Sequence, residues 1–233
     1  YKVLYSRNLL KTSEGKHLLG KIISSNIPHE EASDKIIRYL SSTETPQGLV
    51  ALAKPKISDF GVLFETNNPL IIVACGIQDP GNLGTMIRTA DAAGCSGLIL
   101  SQGTTDPYND KAIRASAGSI FHLNIVKIDD IIELISSLKR RGIRVVSAVA
   151  RAEKRYFEFD FTYPAAIVFG SEGRGLPVEV EKASDEAISI PMLGEIESLN
   201  VSISAAIILY EALRQRRFGK LTAGGSISSP QGV

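Results

Sequence analysis

Leu70-Ile71-Ile72-Val73-Ala74-Cys75 runs directly into Gly76-Ile77-Gln78-Asp79-Pro80-Gly81-Asn82-Leu83-Gly84-Thr85-Met86-Ile87-Arg88. Six consecutive apolar residues fall far short of the roughly 18 that span a bilayer, and they suit a strand buried on both faces. Helical periodicity follows over residues 81–94. The alternation continues downstream. Apolar strands are expected at 98–100, 143–149, 165–169 and 188–190. An amphipathic helix is expected at 129–141, stopped by Gly142, and a long final helix at 198–218. Apolar strands between helices specify an α/β domain with a mainly parallel sheet covered on both faces.

The first 68 residues read differently. Short strands are expected at Val3–Tyr5 and Gly48–Ala53. A helix is expected at Glu30–Leu40, with Ile36, Ile37 and Leu40 on one face. The polar run Glu65-Thr66-Asn67-Asn68-Pro69 marks a boundary. This gives a small α/β domain over 1–68, a larger one over 69–220 and a Gly/Ser-rich flexible tail over 221–233.

The chain has 233 residues, 44% of them hydrophobic and 22% charged, with a formal charge of +1. That excludes a wholly disordered chain, and it confines any nucleic-acid contact to local patches. Cys75 and Cys95 are too few for a disulfide framework and read as buried free thiols of a reducing compartment. His17 and His29, with Glu30, Glu31 and Asp34, lack metal-ligand spacing, so no metal site is expected. The chain opens at Tyr1 without a signal-peptide pattern, which reads as a start inside a longer native chain.

Ligands of parallel sheets collect at the carboxyl ends of strands. Three segments there are rich in small and polar residues. In the first, residues 76–88, Asn82 can cap the helix and Arg88 follows it by six residues, about 120° short of two turns. An arginine so near a helix N-terminus opposes the helix dipole unless it meets an anion such as phosphate. The bland alternative is an ion pair with Asp79 or Asp91. The second, residues 169–177, carries Gly170, Gly173 and Gly175 for close backbone approach, and Glu172 as a hydrogen-bond acceptor. It is neither a dinucleotide fingerprint nor a P-loop. The third, residues 190–202, is a long loop ending in Ser198, a candidate cap for the last helix. Its Leu193 and Ile196 read as local packing or an apolar ligand wall.

Together the three segments resemble the ordered motifs of the SpoU/TrmH-type RNA ribose 2′-O-methyltransferases of the SPOUT superfamily. Motif one is similar to Asn82 through Arg88 with residues 89–94. Motif two resembles Val168-Phe169-Gly170-Ser171-Glu172-Gly173. Motif three resembles Ile190-Pro191-Met192 with Ser198-Leu199-Asn200-Val201-Ser202. The resemblance covers about residues 70–218. A weaker one likens residues 1–68 to the small α/β substrate-binding domain that precedes this domain in ribosomal RNA members.

The resemblance implies a deep trefoil knot in the C-terminal part, S-adenosylmethionine as methyl donor, no metal, and a homodimer. Gly170, Ile190 and Leu199, joined by Ala148, Val149 and Ala150, are the implied donor pocket. Arg88, Asn82, Glu172, Ser198 and Asn200 are the implied catalytic set. Arginine holds its proton, so Arg88 reads as a phosphate clamp that eases negative charge on the 2′-oxygen. Candidate RNA contacts are Arg114, Arg151 and Arg155. Further basic candidates are Arg140, Arg141, Arg144, Lys154 and the cluster Arg214, Arg216, Arg217 and Lys220. Tyr108 and Tyr156 are the candidate stacking residues.

The expected function is methylation of a ribose 2′-hydroxyl in structured RNA, with large-subunit ribosomal RNA first and transfer RNA second. A non-catalytic RNA-binding assembly protein is the alternative from another class, and a dinucleotide oxidoreductase is disfavoured by the missing fingerprint. A cytoplasmic location, with an organelle as the other option and no membrane partner, completes the expectation.

Overall fold

The computed structural model describes residues 2–56 and 58–219. They divide into two compact units after Pro55. The division precedes the expected boundary at 65–69. A short 3-10 helix, Phe60–Phe64, belongs to the second unit, where Leu63 is fully buried among Ile71, Val73 and Ile99.

The first unit comprises β1 (Lys2–Tyr5), α1 (Ser13–Ser24), β2 (His29–Glu31), α2 (Asp34–Leu40) and β3 (Leu49–Leu52). In its three-stranded sheet β1 is central, parallel to β2 and antiparallel to β3. The expected helix at 30–40 is shorter than the sequence suggests. Residues 29–31 pair with Val3–Tyr5 as a strand, and Ser33 caps the helix by accepting the Ile36 N–H. Of the expected apolar face only Ile37 is buried; Ile36 and Leu40 are exposed. Helix α1, capped by Thr12, has no counterpart in the sequence reading.

The second unit comprises β4 (Leu70–Ala74), α3 (Pro80–Ala92), β5 (Gly97–Leu100), α4 (Asp110–Ala115), β6 (Ile125–Lys127), α5 (Ile131–Arg140), β7 (Arg144–Ala148), β8 (Lys154–Arg155), β9 (Ala165–Phe169), α6 (Val178–Ala183), β10 (Glu186–Ser189) and α7 (Val201–Phe218). Its sheet runs β6-β5-β4-β9-β7-β10-β8, and every pairing in it is parallel. Strand β4 shows why its run is continuously apolar. Leu70, Ile72 and Ala74 pack on Leu83, Met86 and Ile87 of α3 and Ile208 and Leu209 of α7. Ile71 and Val73 face Leu134, Ile135 and Leu138 of α5. Alternate residues thus fill two cores, as a sheet covered on both sides demands.

Register sets up one sheet edge. Ala74 and Ala148 both pair with Phe169, and Ala148 also pairs with Ile188. The segments that follow β4, β7, β9 and β10 therefore leave the sheet side by side. Both cysteines are free thiols whose proton affinity burial raises, Cys95 up to about 12, so neither is a thiolate at neutral pH. No helix among the described residues is long and apolar enough to cross a membrane. The proposed tail and Lys220 lie outside the described residues.

Candidate active site

At that edge lies a cleft of about 610 Å³. Its volume falls within the roughly 300–1,000 Å³ typical of small-molecule sites. Ala148, Val149, Ala150, Gly170, Ile190 and Leu199 all line it, as do Glu172, Ser198 and Asn200. They come from the exits of three strands, β7, β9 and β10, which is why no contiguous stretch of sequence spells the site.

A hydrogen-bond network that reaches the cleft lining begins at α3. Asp79, not Asn82, caps this helix, accepting from the Gly81 and Asn82 N–H groups. Pro80 takes the first helical position, where its missing donor costs nothing. The Lys111 ammonium lies 2.8 Å from Asp79 and, with the Asn82 N–H, holds that carboxyl below its ordinary range. Asn82 is thereby left free in the first turn. Its Nδ2 donates to Glu172 Oε1 at 2.8 Å, and its Oδ1 accepts from Asn200 Nδ2 at 2.9 Å. Asn200, rather than Ser198, caps α7: its Oδ1 accepts from the Ser202 N–H and from Ser202 Oγ, at 2.9 and 2.7 Å. One chain of hydrogen bonds thus ties together the three segments.

Glu172 sits on a five-residue hairpin closed by reciprocal backbone bonds between Ser171 and Gly175, 3.1 and 2.9 Å. Only Gly175 of the three glycines here has positive φ; Gly170 serves close approach instead. Burial opposes ionisation of Glu172. The hydrogen bond from Asn82 and the N–H groups of Glu172, Gln78 and Asp79 more than offset it and hold the carboxyl below the ordinary glutamate range. At neutral pH it is a carboxylate, an acceptor that fixes the Asn82 amide.

Arg88 stands apart from this network. It is exposed, lies outside the cleft lining, and makes no hydrogen bond or ion pair among the described residues. The bland ion-pair reading fails, because Asp79 is taken by Lys111, and Asp91 lies 3.5 Å from His122. Leu193 is fully exposed and Ile196 largely so. Neither packs locally, and Met192 supplies the apolar wall instead.

The basic candidates separate. Arg114 and Arg151 are exposed, and Arg151 has no partner among the described residues. Arg155 donates to Ser189 Oγ at 3.3 Å. Arg144 and Lys154 both pair with Glu186 and stack on Phe159, so they are structural. Arg141 lies over Phe64 at 4.6 Å. Arg214 pairs with Glu211, and Arg216 is spent on backbone carbonyls. Tyr108 and Tyr156 pack against the core, and the Tyr108 hydroxyl donates to the Lys56 carbonyl, so neither is a free stacking platform. Sequence reasoning overlooked Met192 and Arg174 as cleft residues. Both sit inside the recognised motif segments, so position was the available signal.

A model of the SpoU rRNA Methylase family matches residues 69–210. An uncharacterised tRNA/rRNA methyltransferase of Synechocystis sp. is 33% identical over 85% of this chain and 72% of its own. The 23S rRNA (guanosine(2553)-2′-O)-methyltransferase of Bacillus subtilis is 35% identical over 76% of this chain and 69% of its own. The crystal structure of the SpoU methyltransferase AviRb from Streptomyces viridochromogenes, in complex with AdoMet, is similar with a TM-score of 0.81 and 30% identity, over 92% of this chain and 82% of that one. The family match spans all three hydrogen-bonded segments, and with the likeness of the whole fold it means that this chain belongs to the SpoU rRNA methylase family.

Proposed function

We propose that this chain transfers a methyl group from S-adenosylmethionine to a ribose 2′-hydroxyl of large-subunit ribosomal RNA. The observation that carries the reading is the Glu172–Asn82–Asn200 chain, which ties the two cleft-lining loops to the start of α3. The name of the Bacillus subtilis relative supports the substrate. A non-catalytic assembly protein would have no need for so complete a network.

The cleft fits the donor. Backbone of residues 148–150 and 170 offers donors and acceptors for polar edges, while Ile190, Leu199 and Met192 give an apolar wall. When bound, S-adenosylmethionine supplies an electrophilic methyl group on a sulfonium centre. The chain's part is positioning: Glu172 orients Asn82, and Asn82 and Asn200 hold the loops, with Ser198 beside them. Holding the reacting atoms in line is worth several kcal/mol of barrier. Arg88 clamps the phosphate beside the target ribose and offsets negative charge growing on the 2′-oxygen, whose proton leaves to phosphate or water.

In the same reading the first unit binds RNA, with Arg114, Arg151 and Arg155 as contacts. The segment after β10 is threaded as a trefoil knot. Two copies pair through the face of α7 that leaves Ile203 and Tyr210 half exposed. The protein works in the cytoplasm.

Mapping 2′-O-methylation on total RNA with and without the protein tests the function. A new mark on large-subunit RNA is expected; a mark confined to transfer RNA, or none, overturns the substrate. Arg88→Lys should lower kcat about tenfold, because an ammonium cannot reproduce the bidentate fork. A near-normal rate in that variant removes the clamp role. The Glu172 carboxyl titrates lower in the folded chain than unfolded. Its contribution is therefore complete above about pH 4.5 and is lost only as pH falls through the lower folded value. Donor titrations should show no inflection from this group between about pH 5 and 8. An inflection there that Glu172→Gln abolishes would mean a raised carboxyl instead.

A further inference from the structure

Within the proposed reaction Arg174, the one cation of the cleft lining among the described residues, has no assigned partner. Arg174 lines the cleft with three carboxylates, Glu172, Glu181 and Glu197, yet its guanidinium bonds to none of them among the described residues. Glu172, two residues away on the same hairpin, is spent on Asn82 and the Gln78 N–H. The backbone that carries Arg174 is held firmly. The Arg174 N–H donates to Ser171 Oγ at 3.3 Å, and the hairpin is closed on both sides by the Ser171–Gly175 bonds. The side chain is exposed at the rim rather than enclosed. A cation rooted in a fixed hairpin, unpaired among the described residues and facing water, is placed for an anion that arrives from outside.

We propose that Arg174 holds a backbone phosphate of the RNA substrate at the rim of the cleft, and so seats the target nucleotide against the donor. This rests on the reading of the chain as an RNA methyltransferase. The donor's own carboxylate is the competing anion. The exposure of Arg174 favours the phosphate, since small-molecule groups are recognised in enclosed positions. Arg151, exposed and without a partner among the described residues, follows the cleft residue Ala150 in the chain.

The test measures Arg174→Gln and Arg174→Lys in the full chain, with RNA affinity followed against salt and S-adenosylmethionine affinity by calorimetry. For Arg174→Gln, RNA binding should weaken about tenfold, and the slope of log affinity against log salt should shrink by about one phosphate contact. The Lys variant should keep the slope, because it keeps the charge. Donor affinity should stay within about twofold for both variants. Unchanged RNA affinity and slope in Arg174→Gln overturn the proposal. So does a loss of donor affinity, which would assign Arg174 to the donor's carboxylate. Wild-type protein that binds neither RNA nor donor would instead sink the methyltransferase reading itself, so the two failures are distinct.

Discussion

Gly170→Ala should reduce donor affinity more than about 100-fold, roughly 2.7 kcal/mol, while leaving the fold in place. A Cβ on residue 170 would lie 2.3 Å from the Gly175 carbonyl carbon, 2.4 Å from the Leu176 nitrogen and 2.5 Å from the Gly175 oxygen. All three are backbone atoms, so no rotamer change relieves the collision. Gly170 has no positive φ, so the cost is purely steric. The way out is for the hairpin to swing away from the end of β9, which breaks the Ser171–Gly175 pairing and pulls Glu172 from Asn82. Strand β9 itself is buried along all five residues and stays. Gly173→Ala is the control on the same hairpin: a Cβ there meets nothing within 4 Å, and its effect should be within about 0.5 kcal/mol. Calorimetric titration with S-adenosylmethionine, beside a thermal melt, checks the pair. Wild-type donor affinity in Gly170→Ala would show that the hairpin's closure does not shape the donor site.

The same hairpin shows what a sequence can and cannot disclose. Strands β4 and β9 announce themselves because both faces are buried, so every residue is apolar. Helix α5 is legible for a different reason: Asp130 caps it, Leu134, Ile135 and Leu138 face the core, and Gly142 beyond it has φ +74°. Strand β2 is the opposite case. His29, Glu30 and Glu31 are all exposed, so no hydrophobic alternation marks them, and only pairing with β1 makes a strand. Helix α1 hides because just one of its residues, Ile22, is buried. Strand order is invisible locally, since β9 enters between β4 and β7 from far along the chain.

For the site, residue types and motif order point to Asn82, Glu172 and Asn200, but their bonds span 90 and 118 residues and need the fold to exist. The reverse error has the same root. Arg144 and Lys154 look like a solvated basic group until β10 brings Glu186 against both. Charge counts cannot tell a free cation from a paired one when the partner is more than 30 residues away.

Arg216 is the sharpest instance, and Arg216→Met should destabilise the chain by about 3 kcal/mol. No carboxylate partners it. Its guanidinium donates to four carbonyls: Phe161 at 2.8 Å, Asn68 at 2.7 Å, Pro69 at 3.2 Å and Tyr163 at 2.8 Å. Burial lowers its pKa, but arginine remains charged, so the bonds are charge-assisted. Asn68 and Pro69 lead into β4, and Phe161 and Tyr163 precede β9, so one side chain pins the end of α7 to the entry of the two central strands. Gln215 adds to it, accepting from the Phe161 N–H and donating to the Phe159 carbonyl, at 2.8 and 3.0 Å. The other end of α7 carries Asn200 and Ser202, so this clasp also sets where the Glu172–Asn82–Asn200 network sits. Methionine keeps the apolar stem and removes four donors. Full value for each bond would exceed the stated loss, and the half-exposed position of the group scales it down. Arg217 is exposed and without a partner among the described residues, so Arg217→Met should change stability by less than about 0.5 kcal/mol. Urea unfolding of both variants separates the cases. Equal midpoints for the two would mean that the carbonyl clasp contributes nothing, and that α7 is held by its apolar face alone.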